Sequence, residues 1–295
     1  MRYGKITAAF FSPTGNTGRI VRLTAENITG LLRKAGREMM SEEDDFTLPA
    51  ARQEMRQFGP ADLVILGTPT YAGRVPNKIA PEIRRLFHGE GTPVVPVVTF
   101  GNRSYDNSLA ELTDILRQND FVPVGAAAVC MPHVFSDVLG AGRPDEEDLS
   151  LLKQLAESVC DVLSGDHAAG EQQGTAGRLQ DPCDFSRTLQ VPGNPDAPYY
   201  TPLGTDGKPA KFLKAVPRVN PGFCRHCGTC AAVCPMGSVS RDDPAAVNGI
   251  CIKCQACIRS CPAGARYFDD AAFLSHVAML EQTYLRRAKS DIFLV

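Results

Sequence analysis

An α/β fold with a doubly wound, five-stranded parallel sheet, followed by a small cysteine-rich α+β unit, is the fold class predicted by three features of the sequence. Short apolar runs alternate with amphipathic helical patterns through the first 165 residues, the pattern of a parallel sheet covered by helices on both faces. Eight of the eleven cysteines crowd between Cys224 and Cys261. The stretch between these regions, 166–217, is rich in Gly, Pro, Gln and Asp and has no period.

The first apolar run, 6–11, breaks at Ser12-Pro13-Thr14-Gly15-Asn16-Thr17-Gly18. Ile20, Leu23, Ile28 and Leu31 then recur near a 3.6 period and predict a helix. A weaker strand is expected around 44–48. Residues 63–66 are the next strand, ending in Thr68-Pro69-Thr70-Tyr71-Ala72-Gly73. Pro76 stands at a helix start, with Ile79, Ile83 and Leu86 on its buried side and Gly89 at its end. Residues 94–100 form a strand containing Pro96, which lacks a ladder donor and so predicts a bulge or an unpaired position. Leu109, Leu112, Ile115 and Leu116 line a helix, 121–130 is a strand, and Leu149, Leu152, Leu155, Val159 and Val162 line the last helix. The expected division is a sheet domain over 1–165, an irregular linker over 166–217 packed on one or both domains, a small domain over 218–268, and a helical tail over 269–295 with an apolar end.

Composition narrows the function classes. Charged residues make up 22% and the net charge is −2, so no basic field points to nucleic acid. No apolar run reaches the length of a membrane span, and the N-terminal segment lacks a leader's cleavage site. A cysteine-poor half followed by a dense cluster reads as metal binding in a reducing, cytoplasmic setting rather than as a disulfide scaffold.

Two identical C-x2-C-x2-C-x3-C-P runs, Cys224, Cys227, Cys230, Cys234 and Cys251, Cys254, Cys257, Cys261, are offset by 27 residues from Cys224 to Cys251. Thiolates are the soft ligands that iron–sulfur clusters require, and this spacing is that of two [4Fe–4S] clusters. A pair of zinc sites is the alternative, but zinc usually takes two ligand pairs separated by a longer loop. His226, inside the first run, reads as a surface residue.

The Ser12–Gly18 loop enters a helix, where free backbone N–H groups attract an anion. It has no Gly-Lys-Ser/Thr triplet and no G-x-G-x-x-G, which excludes an NTP-binding P-loop and the dinucleotide fingerprint. The loops at 68–73 and 101–106 leave the same sheet edge, and His133 follows the last strand there. Cys130 and Cys160 fall on apolar faces and read as core. Cys183, in the linker, has no assigned role.

The Ser12–Gly18 loop resembles the phosphate loop of flavodoxins, and residues 218–268 resemble bacterial two-cluster ferredoxins. In order, Gly67–Pro76, Thr99–Asn107 and the cysteine runs resemble a family of flavodoxin–ferredoxin fusions common in anaerobes. The resemblance implies FMN and two [4Fe–4S] clusters. FMN would be held by Ser12, Thr14, Gly15, Asn16 and Thr17 at its phosphate. Thr68, Pro69, Thr70, Tyr71, Gly73, Thr99, Gly101, Asn102 and Tyr105 would surround its ring, with Tyr71 and Tyr105 stacking and Gly73 and Gly101 giving close backbone approach. Arg74 and Arg103 would point outward. In the ferredoxins each fourth cysteine serves the other cluster, so Cys224, Cys227, Cys230 and Cys261 would hold one, and Cys251, Cys254, Cys257 and Cys234 the other. The implied activity is electron relay to or from a redox protein partner. The alternative is an FMN-dependent reductase of a small molecule, with His133 or Tyr105 as proton donor. Residues 216–295 carry nine Lys/Arg and six Asp/Glu, so docking by acidic steering is not expected. The oligomeric state stays open.

Overall fold

The computed structural model describes residues 4–164 and 189–295; Cys183 lies outside them. Strand β1 (Lys5–Phe10) enters helix α1 (Asn16–Lys34), and β2 (Met40–Asp45) and β3 (Leu63–Pro69) follow. Then come α2 (Ala80–Leu86), β4 (Thr92–Phe100) and α3 (Ser108–Gln118). β5 runs in two pieces, Phe121–Pro123 and Gly125–Cys130, and α4 (Glu146–Ser164) closes the alternation. The five parallel strands take the order β2-β1-β3-β4-β5, the doubly wound order of a flavodoxin-like sheet. Its two faces bury separate apolar layers. One holds Ile20, Ile28, Leu152 and Val159 from α1 and α4; the other holds Ile83, Leu86, Leu112 and Ile115 from α2 and α3.

Two details depart from expectation, and a third, at Pro96, follows it. β2 lies at 40–45 rather than 44–48, because it is an exposed edge strand. Its MSEEDD sequence carries charge instead of an apolar face, which blunts the edge against pairing. Leu23 and Leu31 are only half-buried, while Val21, Ala25 and Leu32 face the core. Pro96 sits where β5 is interrupted: Val94 pairs with Pro123 and Val97 with Ala127, so three residues oppose two. That is a bulge at the residue that cannot donate.

The chain beyond the linker is tied back into this sheet. Two short helices, α5 (Thr229–Ala232) and α6 (Ala256–Arg259), carry the cysteine runs, and β6 (Arg218–Val219) pairs antiparallel with β7 (Arg266–Tyr267). Helix α7 (Ala271–Thr283) is followed by β8 (Asp291–Leu294), which adds to the sheet antiparallel to β5. The expected helical tail is therefore a helix plus an edge strand of the first domain. Arg143, Asp148 and Ser290 form a buried network beneath it: Arg143 donates to the Ala288 carbonyl at 2.8 Å and Ser290 Oγ donates to Asp148 at 2.6 Å. No helix among the described residues is long and apolar enough to cross a membrane.

Candidate flavin cavity and thiol sites

The loops at the carboxyl ends of β1, β3, β4 and β5 converge at the β1/β3 switch point, where a doubly wound sheet binds its ligand. They line a cavity of about 470 Å³, within the roughly 300–1,000 Å³ of small-molecule sites. At one end stand Ser12, Pro13, Thr14, Asn16 and Thr17. Gly15, at φ 83°, bends the chain into α1, a conformation that favours glycine. Ser12 Oγ accepts from Gly18 N at 2.9 Å, Asn16 Nδ2 donates to the Pro132 carbonyl at 3.2 Å, and the hydroxyls of Thr17 and Thr99 pair at 2.7 Å. The Thr14 hydroxyl has no partner among the described residues, and the first N–H groups of α1 have no intrahelical acceptor.

Pro69, Thr70, Tyr71, Gly73, Thr99, Gly101, Arg103 and Ser104 also line the cavity. Several expected contacts lie elsewhere. Thr68 is fully buried in β3, behind the cavity wall. Asn102 is a clamp: its Nδ2 donates to the carbonyls of Tyr284 and Arg286 at 2.6 and 2.7 Å, holding the returning chain. Tyr105 packs on Phe100 and donates to Asp291 at 2.8 Å, outside the cavity, so it neither stacks in the cavity nor donates a proton there. A Cβ on Gly73 would meet Asp106 at 2.3 Å, and one on Gly101 would meet His133 at 2.4 Å, so protein neighbours account for both glycines. Arg74 does not point outward. It is buried in an ion pair with Glu111 at 2.8 Å. Arg103 lines the cavity, paired with Asp106.

Of the two loop tyrosines only Tyr71 lines the cavity, and two further aromatic walls come from the linker. Tyr200 donates its backbone N–H to Ala72 at 2.8 Å, and the Arg103 guanidinium lies 4.0 Å from its ring centroid. Tyr199 donates its hydroxyl to the Val75 carbonyl at 2.8 Å. Both line the cavity with Tyr71. Among the described residues no aspartate or glutamate lines it, whereas Lys78, Arg103 and Lys253 do. Free N–H groups, the Thr14 hydroxyl, aromatic walls from Tyr71, Tyr199 and Tyr200, and no carboxylate among the described lining residues suit a phosphorylated flavin.

His133 also lines the cavity. Its Nδ1 accepts from Phe135 N at 3.1 Å, so the neutral ring carries its proton on Nε2. Burial, then the nearby charges of His276, Arg103 and Arg259, pushes its pKa down to about 4. Below about pH 6.5 the unfolded chain binds this proton and the folded chain does not. Stability from this group is therefore lost as pH falls from about 6.5 toward 4. His276 is shifted in the same direction by burial. Thermal unfolding between pH 7.5 and 4.5 should show a steeper loss for the parent protein than for His133→Gln; superimposable pH profiles contradict the assignment.

The two cysteine runs fold as a repeat. Residues 27 apart share backbone geometry: His226 and Lys253 at φ 50° and 57°, Gly228 and Gln255 at 75° and 65°, Gly237 and Gly264 at 61° and 57°. Cys234 Sγ accepts from Ser238 N, and Cys261 Sγ from Ala265 N, both at 3.3 Å. Cys234, Cys251, Cys254 and Cys257 together line one apolar cavity with Pro217, Val239 and Phe268. The fourth cysteine of the first run thus shares a cavity with the first three of the second. His226 is exposed, as expected of a surface residue.

Burial raises Cys254 to about 12 and Cys257 to about 11, so iron held there would supply the charge that deprotonates them. Among the described residues no three His, Cys, Asp or Glu side chains converge on one point as a single ion requires; Cys234, Cys251, Cys254 and Cys257 line a space instead. Arg266 is buried beside Cys257, and its Nε and Nη2 have no partner among the described residues. Anionic cluster sulfurs would accept those N–H groups.

Residues 217–240 and 248–264 each match a family model described as a 4Fe-4S binding domain. Comparison with curated proteins finds no match. Among solved structures, a flavodoxin of Streptococcus pneumonia TIGR4 is similar at 22% identity, covering 52% of this chain and 94% of its own, with a TM-score of 0.33. Flavodoxin 2 from Bacillus cereus is similar at 17% identity, covering 54% and 99%, with a TM-score of 0.38. Rubredoxin oxygen:oxidoreductase from Desulfovibrio gigas is similar at 17% identity, covering 56% and 37%, with a TM-score of 0.37. The strand order, rather than these distant likenesses, defines the first domain. The chain is thus an iron–sulfur protein with two 4Fe-4S binding domains attached to a flavodoxin-like fold. In architecture it resembles a flavodoxin–ferredoxin fusion.

Proposed function

We propose that this chain is an electron-transfer protein that couples two [4Fe–4S] clusters to FMN. One observation carries the reading: the thiol cavity and the large cavity share a wall, residues 250–253, with Cys251 lining both. FMN can hold one or two electrons and each cluster passes one, so the set converts between one- and two-electron chemistry. Cys224, Cys227, Cys230 and Cys261 would hold the distal cluster. Its loop is open, with Cys227 and Phe223 exposed, which suits exchange with a redox protein partner. Cys234, Cys251, Cys254 and Cys257 would hold the proximal cluster, beside Tyr71. Residues 250–253 keep the two centres next to each other in one chain, which makes transfer intramolecular.

FMN binding tests the cavity assignment. Thr14→Ala removes an unspent hydroxyl donor and should weaken FMN about tenfold, measured by quenching of flavin fluorescence on reconstitution. Unchanged affinity would mean that the phosphate lies elsewhere.

The cavity continues to His133, Phe135, Phe212 and His276, which favours a second reading as a reductase of a small molecule fed by its own clusters. Of the two expected proton donors, only His133 lies in the cavity. Turnover of a small electrophile by the isolated holoprotein, with a one-electron donor present and no protein acceptor, would establish that reading.

A further inference from the structure

We infer that Lys253 jointly tunes the proximal cluster and the flavin, raising both of their potentials; this rests on FMN occupying the large cavity. Lys253 lines both the thiol cavity and the flavin cavity. Its ammonium donates to the carbonyls of Leu213 and Cys251, the latter at 3.0 Å. It has no ion pair with a carboxylate among the described residues; Asp270 and the Cys251 thiol act on it from a distance. The two other cations of the flavin cavity differ: Arg103 is neutralised by Asp106, and Lys78 is exposed.

A half-buried cation with no carboxylate in ion-pair contact favours any state that brings negative charge beside it. Reduction adds one negative charge to the cluster, and negative charge to the flavin unless a proton accompanies it. Lys253 therefore favours the reduced form of each centre. The internal repeat sharpens the assignment, because the equivalent position of the distal cluster is His226, which is exposed and does not line the flavin cavity. Only one of the two clusters has this cation. The left-handed backbone at Lys253, φ 57° in a residue with a Cβ, is a conformation that L-residues adopt at a cost. Here it is shared with His226, the equivalent residue of the first run.

The test is an anaerobic potentiometric titration of the fully loaded protein, read by visible absorbance and electron paramagnetic resonance, for the parent, Lys253→Gln and Lys253→Arg. Gln keeps a donor for the carbonyls and removes the charge. In Lys253→Gln the preference of the flavin site for reduced over oxidised FMN should fall about tenfold, a shift of about 30 mV for the two-electron couple. The proximal cluster should fall by a similar factor, about 59 mV for one electron. The distal cluster should stay in place, and Lys253→Arg should restore both values. Potentials that do not move, or that move equally at both clusters, overturn the inference. If the parent protein binds no FMN, the proposed function fails; an unmoved proximal cluster in Lys253→Gln then also overturns the role of Lys253, and a selective fall there retains its cluster half.

Discussion

Cys257→Ser is expected to remove one cluster and spare the other. Four thiolates are needed for each cubane, and Cys257 is buried among Cys234, Cys251 and Cys254 in the cavity they share. A serine hydroxyl is a harder ligand and a far weaker acid than a thiol. Iron content should fall by half, and the remaining resonance should be that of the distal cluster. FMN should still bind, because Cys257 does not line the flavin cavity. Flavin reduction through the clusters should slow by about 10² or more, because the tethered neighbour is lost. Cys234→Ser should give the same result although it lies in the other run. If Cys234→Ser instead abolishes the distal signal, each run holds its own cluster and the crossed assignment is wrong.

The second large effect is on stability. Arg143 is 6% exposed and Asp148 1%, and Arg143 grips that carboxylate while Ser290 donates to it. Arg143→Met would leave Asp148 buried without its cation, a loss of about 3–5 kcal/mol. Cys130 N donates to Ser290 Oγ at 2.9 Å, so the damage should reach β8 and its seat on β5. Thermal unfolding of Arg143→Met should begin well below that of the parent, with faster hydrogen exchange at 291–294. Arg287→Met is the control, since Arg287 pairs with Asp145 and Glu147 at the surface, where ion pairs contribute at most about 1 kcal/mol. Equal losses in the two variants would mean that the buried network does not hold the returning chain.

Much of this architecture was legible because its signals are local. Val94, Val95, Val97 and Val98 are apolar in sequence and fully buried in β4. The cysteine runs state their chemistry in eleven residues each. Gly15 marks the turn into α1. What escaped depends on contacts far apart in the chain. Residues 291–294 are a short apolar end until β5, some 165 positions earlier, gives them a partner. Tyr199 and Tyr200 lie in a stretch without period, and only the bond from Tyr200 to Ala72 brings them to the cavity. Asn102 and Tyr105 occupy the expected loop, but the returning chain takes up both side chains. Arg74 is a surface charge by composition and is buried because Glu111, on α3, meets it. In each case the element was readable and the partner was not.

The measurement that bears most directly on the account is the anaerobic rate of flavin reduction in the fully loaded protein after rapid mixing with a one-electron donor, followed over a wide range of protein concentration. Intramolecular transfer across residues 250–253 predicts that clusters are reduced first, and that the flavin then follows at a rate independent of protein concentration. A flavin rate proportional to protein concentration, or unchanged in protein lacking the proximal cluster, would contradict the shared wall as the route.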